Sequence, residues 1–148
     1  MNKAGKKFTA KFPKPKNVGK RDWGEETLLS IVENNFMMKK LVIKKGHKGG
    51  LQYHRKKNEV AIIIKGRLKI RYDDLSGNLV EKVLTDGDVV HFPPGTIHQE
   101  EAIEESTLIE CSTIHFNDRV RCERLYGLKE EEGLPTTNLE DIKNSLDK

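Results

Sequence analysis

Apolar residues in this chain come in short runs, most of them alternating with polar ones at a period of two. In residues 67–73, Leu68, Ile70 and Tyr72 fall on one side and Arg67, Lys69 and Arg71 on the other, the pattern of a half-buried strand. Residues 59–64 form an apolar run joined to it through Lys65-Gly66, which predicts a hairpin. Further strands are expected at 25–32 and 36–44, with Asn34-Asn35 as the turn between them. Ser76-Gly77-Asn78 leads into another at 79–84, Asp86-Gly87 into one at 89–92, and 107–114 is the last long strand. Many short strands punctuated by turns, with no internal repeat, predict an all-β barrel or sandwich. Short helices are expected only near the end, at 125–132, stopped by Gly133 and Pro135, and at 138–146 with Asn138 as N-cap.

The alternation also sorts side chains. If Glu59 points inward, so do Ala61 and Ile63, leaving Val60, Ile62 and Ile64 on a face that a second sheet or a partner copy must cover. Leu108, Glu110 and Ser112 likewise share one face. A carboxylate in the middle of such a strand is costly unless it is paired or functional.

At 148 residues the chain is long enough for one domain with a real core. The expected division is a basic, partly disordered arm at 1–21, a barrel at 22–128 and a tail at 129–148. No apolar run approaches the roughly 20 residues that span a bilayer, and the N-terminus lacks the apolar segment of a secretory signal. Cys111 and Cys122 are too few for a disulfide framework, and both are read as free thiols of a cytoplasmic protein. The net charge is +4, and the arm carries Lys3, Lys6, Lys7, Lys11, Lys14, Lys16, Lys20 and Arg21 without an acid. With only Phe8 and Phe12 interleaved and no nucleic-acid motif behind it, the arm reads as a solvated tail rather than a nucleic-acid contact.

The candidate chemistry lies between Gly46 and His98. Gln52 and His54 are two apart and share a strand face, Glu59 opens an apolar run, and His98 follows the rigid turn Pro93-Pro94-Gly95. One amide oxygen, two imidazoles and one carboxylate suit Zn, Mn, Fe, Ni or Co. His47, His91 and His115 are not assigned as ligands.

The spacing of these residues resembles the two motifs of the cupins. Gly46, five residues, Gln52-Tyr53-His54, four residues, Glu59, six residues and Gly66 match the first motif, with Gln in place of its first His. Gly87, five residues, Pro93, one residue, Gly95, two residues and His98 match the second, though Ala102 stands where its final Asn belongs. The resemblance implies a single-domain jelly-roll (double-stranded β-helix) barrel. Over roughly 21–128, Asp22-Trp23-Gly24, the two motifs, Asp118-Arg119-Val120-Arg121 and Tyr126-Gly127 look like the mannose-6-phosphate isomerase-like small cupins, such as the C-terminal domain of mannose-1-phosphate guanylyltransferases. Members of that wider group hold zinc with Gln, His, Glu and His. Residues 54–59 and Glu110-Cys111-Ser112 also look like the D-lyxose isomerase cupins.

These resemblances imply a metal-dependent isomerase of a sugar or sugar phosphate, with zinc the first expectation among divalent metals, acting as a homodimer. Glu110 is then the candidate base and Lys57 the proton donor or electrostatic partner. The alternatives are a structural ion pair of Glu110 with an interior arginine and a solvated loop charge at Lys57. Arg55, Arg119 and Arg121 are candidates for holding substrate, a phosphate included. Gln99-Glu100-Glu101 follows the last His where an Arg is common, which favours a substrate without a phosphate or one linked to a nucleotide. A non-catalytic carbohydrate-binding cupin and, further off, an iron dioxygenase are the competing readings.

Overall fold

The computed structural model describes residues 1–130. The helix expected at 138–146 therefore lies outside the described residues. Eleven strands run in chain order: β1 (Lys16–Arg21), β2 (Gly24–Val32), β3 (Phe36–Ile43), β4 (Gln52–His54), β5 (Glu59–Lys65), β6 (Arg67–Asp73), β7 (Leu79–Thr85), β8 (Val89–Phe92), β9 (His98–Ala102), β10 (Ser106–Ser112) and β11 (Arg119–Arg121). One sheet has the order β1-β2-β3-β10-β5-β8 and the other β11-β4-β9-β6-β7, and every pairing is antiparallel. This is the two-sheet jelly-roll expected from the sequence.

Three strands lie where none was expected. β1 pairs with β2 and carries the first sheet into the stretch read as a loop-like arm, while the first fifteen residues stay exposed and outside both sheets. β9 escapes the period-two test because its inward positions, His98, Glu100 and Ala102, are mostly polar. β11 is three residues long and pairs with β4. The helix expected at 125–132 is instead one 3-10 turn, Glu123–Tyr126, ended by Gly127 in the left-handed region.

Strand register builds the interior in layers. Leu108 of β10 stands between Leu41 of β3 and Ile63 of β5, Glu110 between Lys39 and Ala61, and Ser112 between Met37 and Glu59. The apolar layer joins Trp23, Ile43, Leu68, Leu84 and Phe92 in one buried cluster. The layers beyond it turn charged, and that is where the site lies. Gly66 makes the β5–β6 turn possible. Its φ is +117°, and a Cβ there would meet the Glu105 carbonyl oxygen at 2.5 Å. Val60, Ile62 and Ile64 do lie on the outside of β5, but they are exposed, and no second sheet among the described residues covers them. Both cysteines are free. No helix among the described residues is long and apolar enough to cross a membrane.

Candidate metal centre

β4, β5 and β9 bring the ligand set together. Gln52 pairs with His98 across β4 and β9, and the Pro93–Thr96 turn is tied to β4 by Gly95 N–H donating to the His54 carbonyl at 2.8 Å. His54, Glu59 and His98 are buried, with ligand atoms all within 4.8 Å of one another. His54 Nε2 and His98 Nε2 lie 3.8 and 3.6 Å from Glu59 Oε1.

Each imidazole is oriented through its other nitrogen. His98 Nδ1 donates to the Thr96 carbonyl at 2.9 Å, and its ring stacks on Phe92 at 3.9 Å. His54 Nδ1 is 3.0 Å from Asp118 Oδ1. Asp118 Oδ2 in turn accepts the backbone N–H groups of Lys56 and Lys57 at 2.9 and 2.8 Å. With Nδ1 committed as donor, Nε2 of each ring faces Glu59 and is the nitrogen left for a metal. On His98, burial works against the charged form, but Glu59 and Glu100 outweigh it and raise the pKa above its ordinary value. Burial lowers the His54 pKa below its ordinary value, which favours the neutral, ligating form. Burial works against the Asp118 carboxylate, but its N–H donors outweigh that and hold its pKa below the usual range.

Gln52 Oε1 is buried without a hydrogen-bond partner. A buried acceptor left so costs about 1–3 kcal/mol, and a cation among these four side chains satisfies it. The donor set fits a divalent metal held by Gln52, His54, Glu59 and His98, the four positions expected from the sequence.

Lys57 is not a solvated loop charge. It is buried, and its Nζ lies 2.8 Å from Glu59 Oε2 and 2.9 Å from Glu110 Oε1. Burial works against its charge, yet Glu110 and Glu59 together raise its pKa and keep it an ammonium. Burial likewise opposes the Glu59 charge, but Lys57 and His98 hold its pKa well below the ordinary value. Glu110 does ion-pair in the interior, but with lysines rather than an arginine, since Lys39 Nζ stands 3.8 Å from the same Oε1. Glu100 lines the same cavity, and burial raises its pKa to about 7.

The cavity measures about 100 Å³ and is lined by Gln52, His54, Lys57, Glu59, His98 and Glu110, among others. Of the three arginines expected near it, Arg119 lines it. Arg55 is exposed and stands apart from it, and Arg121 donates through Nε to Glu123 at 2.8 Å beside a separate cleft. His115, Glu26 and Lys39 also line the cavity, and none of them was singled out from the sequence. The only available signal for Glu26 and Lys39 was their alternation with Leu28 and Leu41 along their strands.

Residues 40–109 match the family described as Cupin domain. No curated protein matches the chain. Among solved structures, the capsular polysaccharide assembling protein CapF of Staphylococcus aureus is similar over 70% of this chain and 30% of its own, with 20% identity and a TM-score of 0.62. An RmlC-like cupin from Shewanella frigidimarina is 24% identical over 72% of this chain and 87% of its own, with a TM-score of 0.57. Oxalate decarboxylase of Bacillus subtilis is 19% identical over 85% of this chain and 41% of its own, with a TM-score of 0.61. The chain thus spans less than a third of the length of CapF. At such identities the structural likenesses show the fold. Together with the family match they support the cupin superfamily.

Proposed function

We propose, for a chain whose residues 40–109 match the Cupin domain family, a metal-dependent isomerase that interconverts the aldose and ketose forms of a small sugar. The observation that carries this reading is the buried Glu110–Lys57 pair next to the four ligand side chains. It puts a carboxylate beside those positions, where an isomerase needs its base. Gln52, His54, Glu59 and His98 would hold the divalent ion, which when bound supplies stabilisation of negative charge on a carbonyl oxygen.

The rest falls to the side chains of this chain. Glu110 accepts the proton from the hydroxyl-bearing carbon next to the carbonyl. The C–H pair becomes a C=C bond and the carbonyl π pair moves onto its oxygen, which takes up the proton of the neighbouring hydroxyl. Glu110 then returns its proton to the former carbonyl carbon as the C=C pair moves back, and the second oxygen becomes the new carbonyl. Lys57, with its pKa raised by Glu110 and Glu59, is a poor proton donor. It acts as the partner that holds and aims the Glu110 carboxylate, 2.9 Å from its Nζ. Cavity walls built from buried side chains limit the water that competes for the proton.

The test has two readouts. Purified protein is reconstituted with Zn, Mn, Ni, Co or Fe and its metal content measured, with His54→Ala as control. It is then incubated in D₂O with D-mannose, D-fructose, D-lyxose, D-xylulose and the hexose 6-phosphates, and deuterium entering C1 or C2 is followed by NMR. About one equivalent of metal and exchange that falls at least 100-fold in Glu110→Gln are expected. Metal-loaded protein that binds sugar but shows no exchange refutes the isomerase and leaves a carbohydrate-binding barrel. Bound iron with oxygen consumption shifts the reading to a dioxygenase.

A further inference from the structure

Beyond the ligand set, the cavity wall carries a row of alternating buried charges. Glu26 Oε1 lies 3.0 Å from Lys39 Nζ, Lys39 Nζ 3.8 Å from Glu110 Oε1, Glu110 Oε1 2.9 Å from Lys57 Nζ, and Lys57 Nζ 2.8 Å from Glu59 Oε2. The row crosses the sheet from β2 through β3 and β10 to β5, with Lys39 and Glu110 in direct register. Glu26 and Lys39 are 1% and 5% exposed, and both line the cavity. Structural need explains this poorly. Replacing a buried ion pair with apolar side chains is often neutral or stabilising, and the next layer of the same barrel is filled by Leu41, Leu108 and Ile63.

A row of alternating acceptors and donors suits a row of hydroxyl groups, each of which both donates and accepts. It does not suit a phosphate, which only accepts and needs cations not already claimed by carboxylates. Here Lys57 faces two carboxylates and Lys39 faces Glu26 and Glu110. The cavity is lined by five carboxylates (Glu26, Glu59, Glu100, Glu110, Asp118) and three cations (Lys39, Lys57, Arg119). Carboxylates outnumber cations around the cavity, which disfavours an anionic occupant.

We infer that Glu26 and Lys39 are specificity-determining residues that bind the hydroxyl-bearing chain of an uncharged sugar or polyol leading away from the metal ligands, and that phosphorylated sugars are excluded. This rests on the proposed function for which end of the ligand lies at the metal, but its test reads binding. Affinities of the zinc-loaded protein for D-mannose, D-fructose and their 6-phosphates are measured by calorimetry. They are compared with Glu26→Leu/Lys39→Met, which removes both members of the pair, and with Glu26→Gln.

At least one free hexose is expected to bind, with its 6-phosphate at least tenfold weaker. The double variant is expected to lose at least tenfold in affinity for the free sugar while its Tm stays within a few degrees, and Glu26→Gln to lose affinity in the same direction. Equal or tighter binding of the phosphates overturns the inference. So does free-sugar affinity within threefold of wild type in both variants, or no binding of either free sugar. The two readings fail separately. Free sugar bound through Glu26 and Lys39 without deuterium exchange removes the isomerase alone, and exchange confined to phosphates removes the specificity inference alone.

Discussion

Asp118 touches no candidate metal position, yet it is expected to control metal affinity. Its Oδ2 accepts two backbone N–H groups, and its Oδ1 sits 3.0 Å from His54 Nδ1. Asp118→Asn keeps the volume and one carbonyl oxygen, which can stay on the two N–H groups. Its amide then presents N–H to His54 Nδ1, which must turn acceptor and move the ring proton to Nε2, the nitrogen facing Glu59. The variant therefore keeps most of the fold, losing about 1 kcal/mol for one weakened hydrogen bond, or about 3 °C in Tm for a chain this size. Metal affinity is expected to fall 10- to 100-fold, the cost usual for losing a partner of this kind, equivalent to about 1.4–2.8 kcal/mol. Asp118→Ala loses all three interactions and is expected to lower both stability and affinity. Competition with a chromophoric chelator measures affinity, and melting in EDTA measures the fold alone. Zinc binding by Asp118→Asn within threefold of wild type would refute the argument that this carboxylate sets the His54 tautomer.

Two further perturbations test the frame around the site. Glu123 Oε1 accepts Leu51 N–H at 3.0 Å and Arg121 Nε–H at 2.8 Å. Burial pushes the Glu123 pKa up, but these partners outweigh it and hold it below the ordinary value. A depressed carboxylate stabilises above its unfolded pKa near 4.3 and loses that contribution as pH falls through its folded value. Glu123→Gln should thus lower Tm at pH 7 by roughly 1–2 kcal/mol equivalent, with the gap to wild type closing below about pH 4; a gap that stays constant with pH contradicts the assignment. At Gly24, φ is +148° and a Cβ would stand 1.8 Å from the Val42 carbonyl oxygen. Gly24→Ala is expected to cost more than about 3 kcal/mol, and a melting curve like that of wild type would show that the β2–β3 pairing adjusts freely.

The clustering of His54, Glu59 and His98 was legible because motif spacing records it, with a Pro-Pro-Gly turn ahead of the last. β6 was legible because its outward face is largely polar and its inward face apolar, and β5 because its apolar run joins β6 through Lys65-Gly66. β9 was not, since a strand facing a polar cavity loses the alternation that reveals strands. Lys57 was open to a solvated reading because its neighbours Arg55, Lys56 and Asn58 look like a surface loop. What buries it is Asp118, some sixty residues on, which clamps the Lys56 and Lys57 backbone. Arg121 offered a cation for a phosphate, but Glu123, two residues further along, takes it instead.

The doublets Glu25-Glu26 and Lys39-Lys40 show why the charged row stayed hidden. Each reads as an ordinary pair of surface charges, and only register decides which member turns inward. Pairing of β3 with β10 sets Lys39 opposite Glu110 and Lys40 opposite Ile109, so one lysine enters the cavity and its neighbour the outer face. A slip of β3 by one residue against β10 would turn Lys40 inward and Lys39 outward. Burying the apolar residues Leu41, Leu108 and Ile63 in one layer excludes that slip. The hydrophobic layer therefore does more than stabilise the barrel. By locking register it sets the position of each charge in the layer beyond, and with it the chemistry of the cavity.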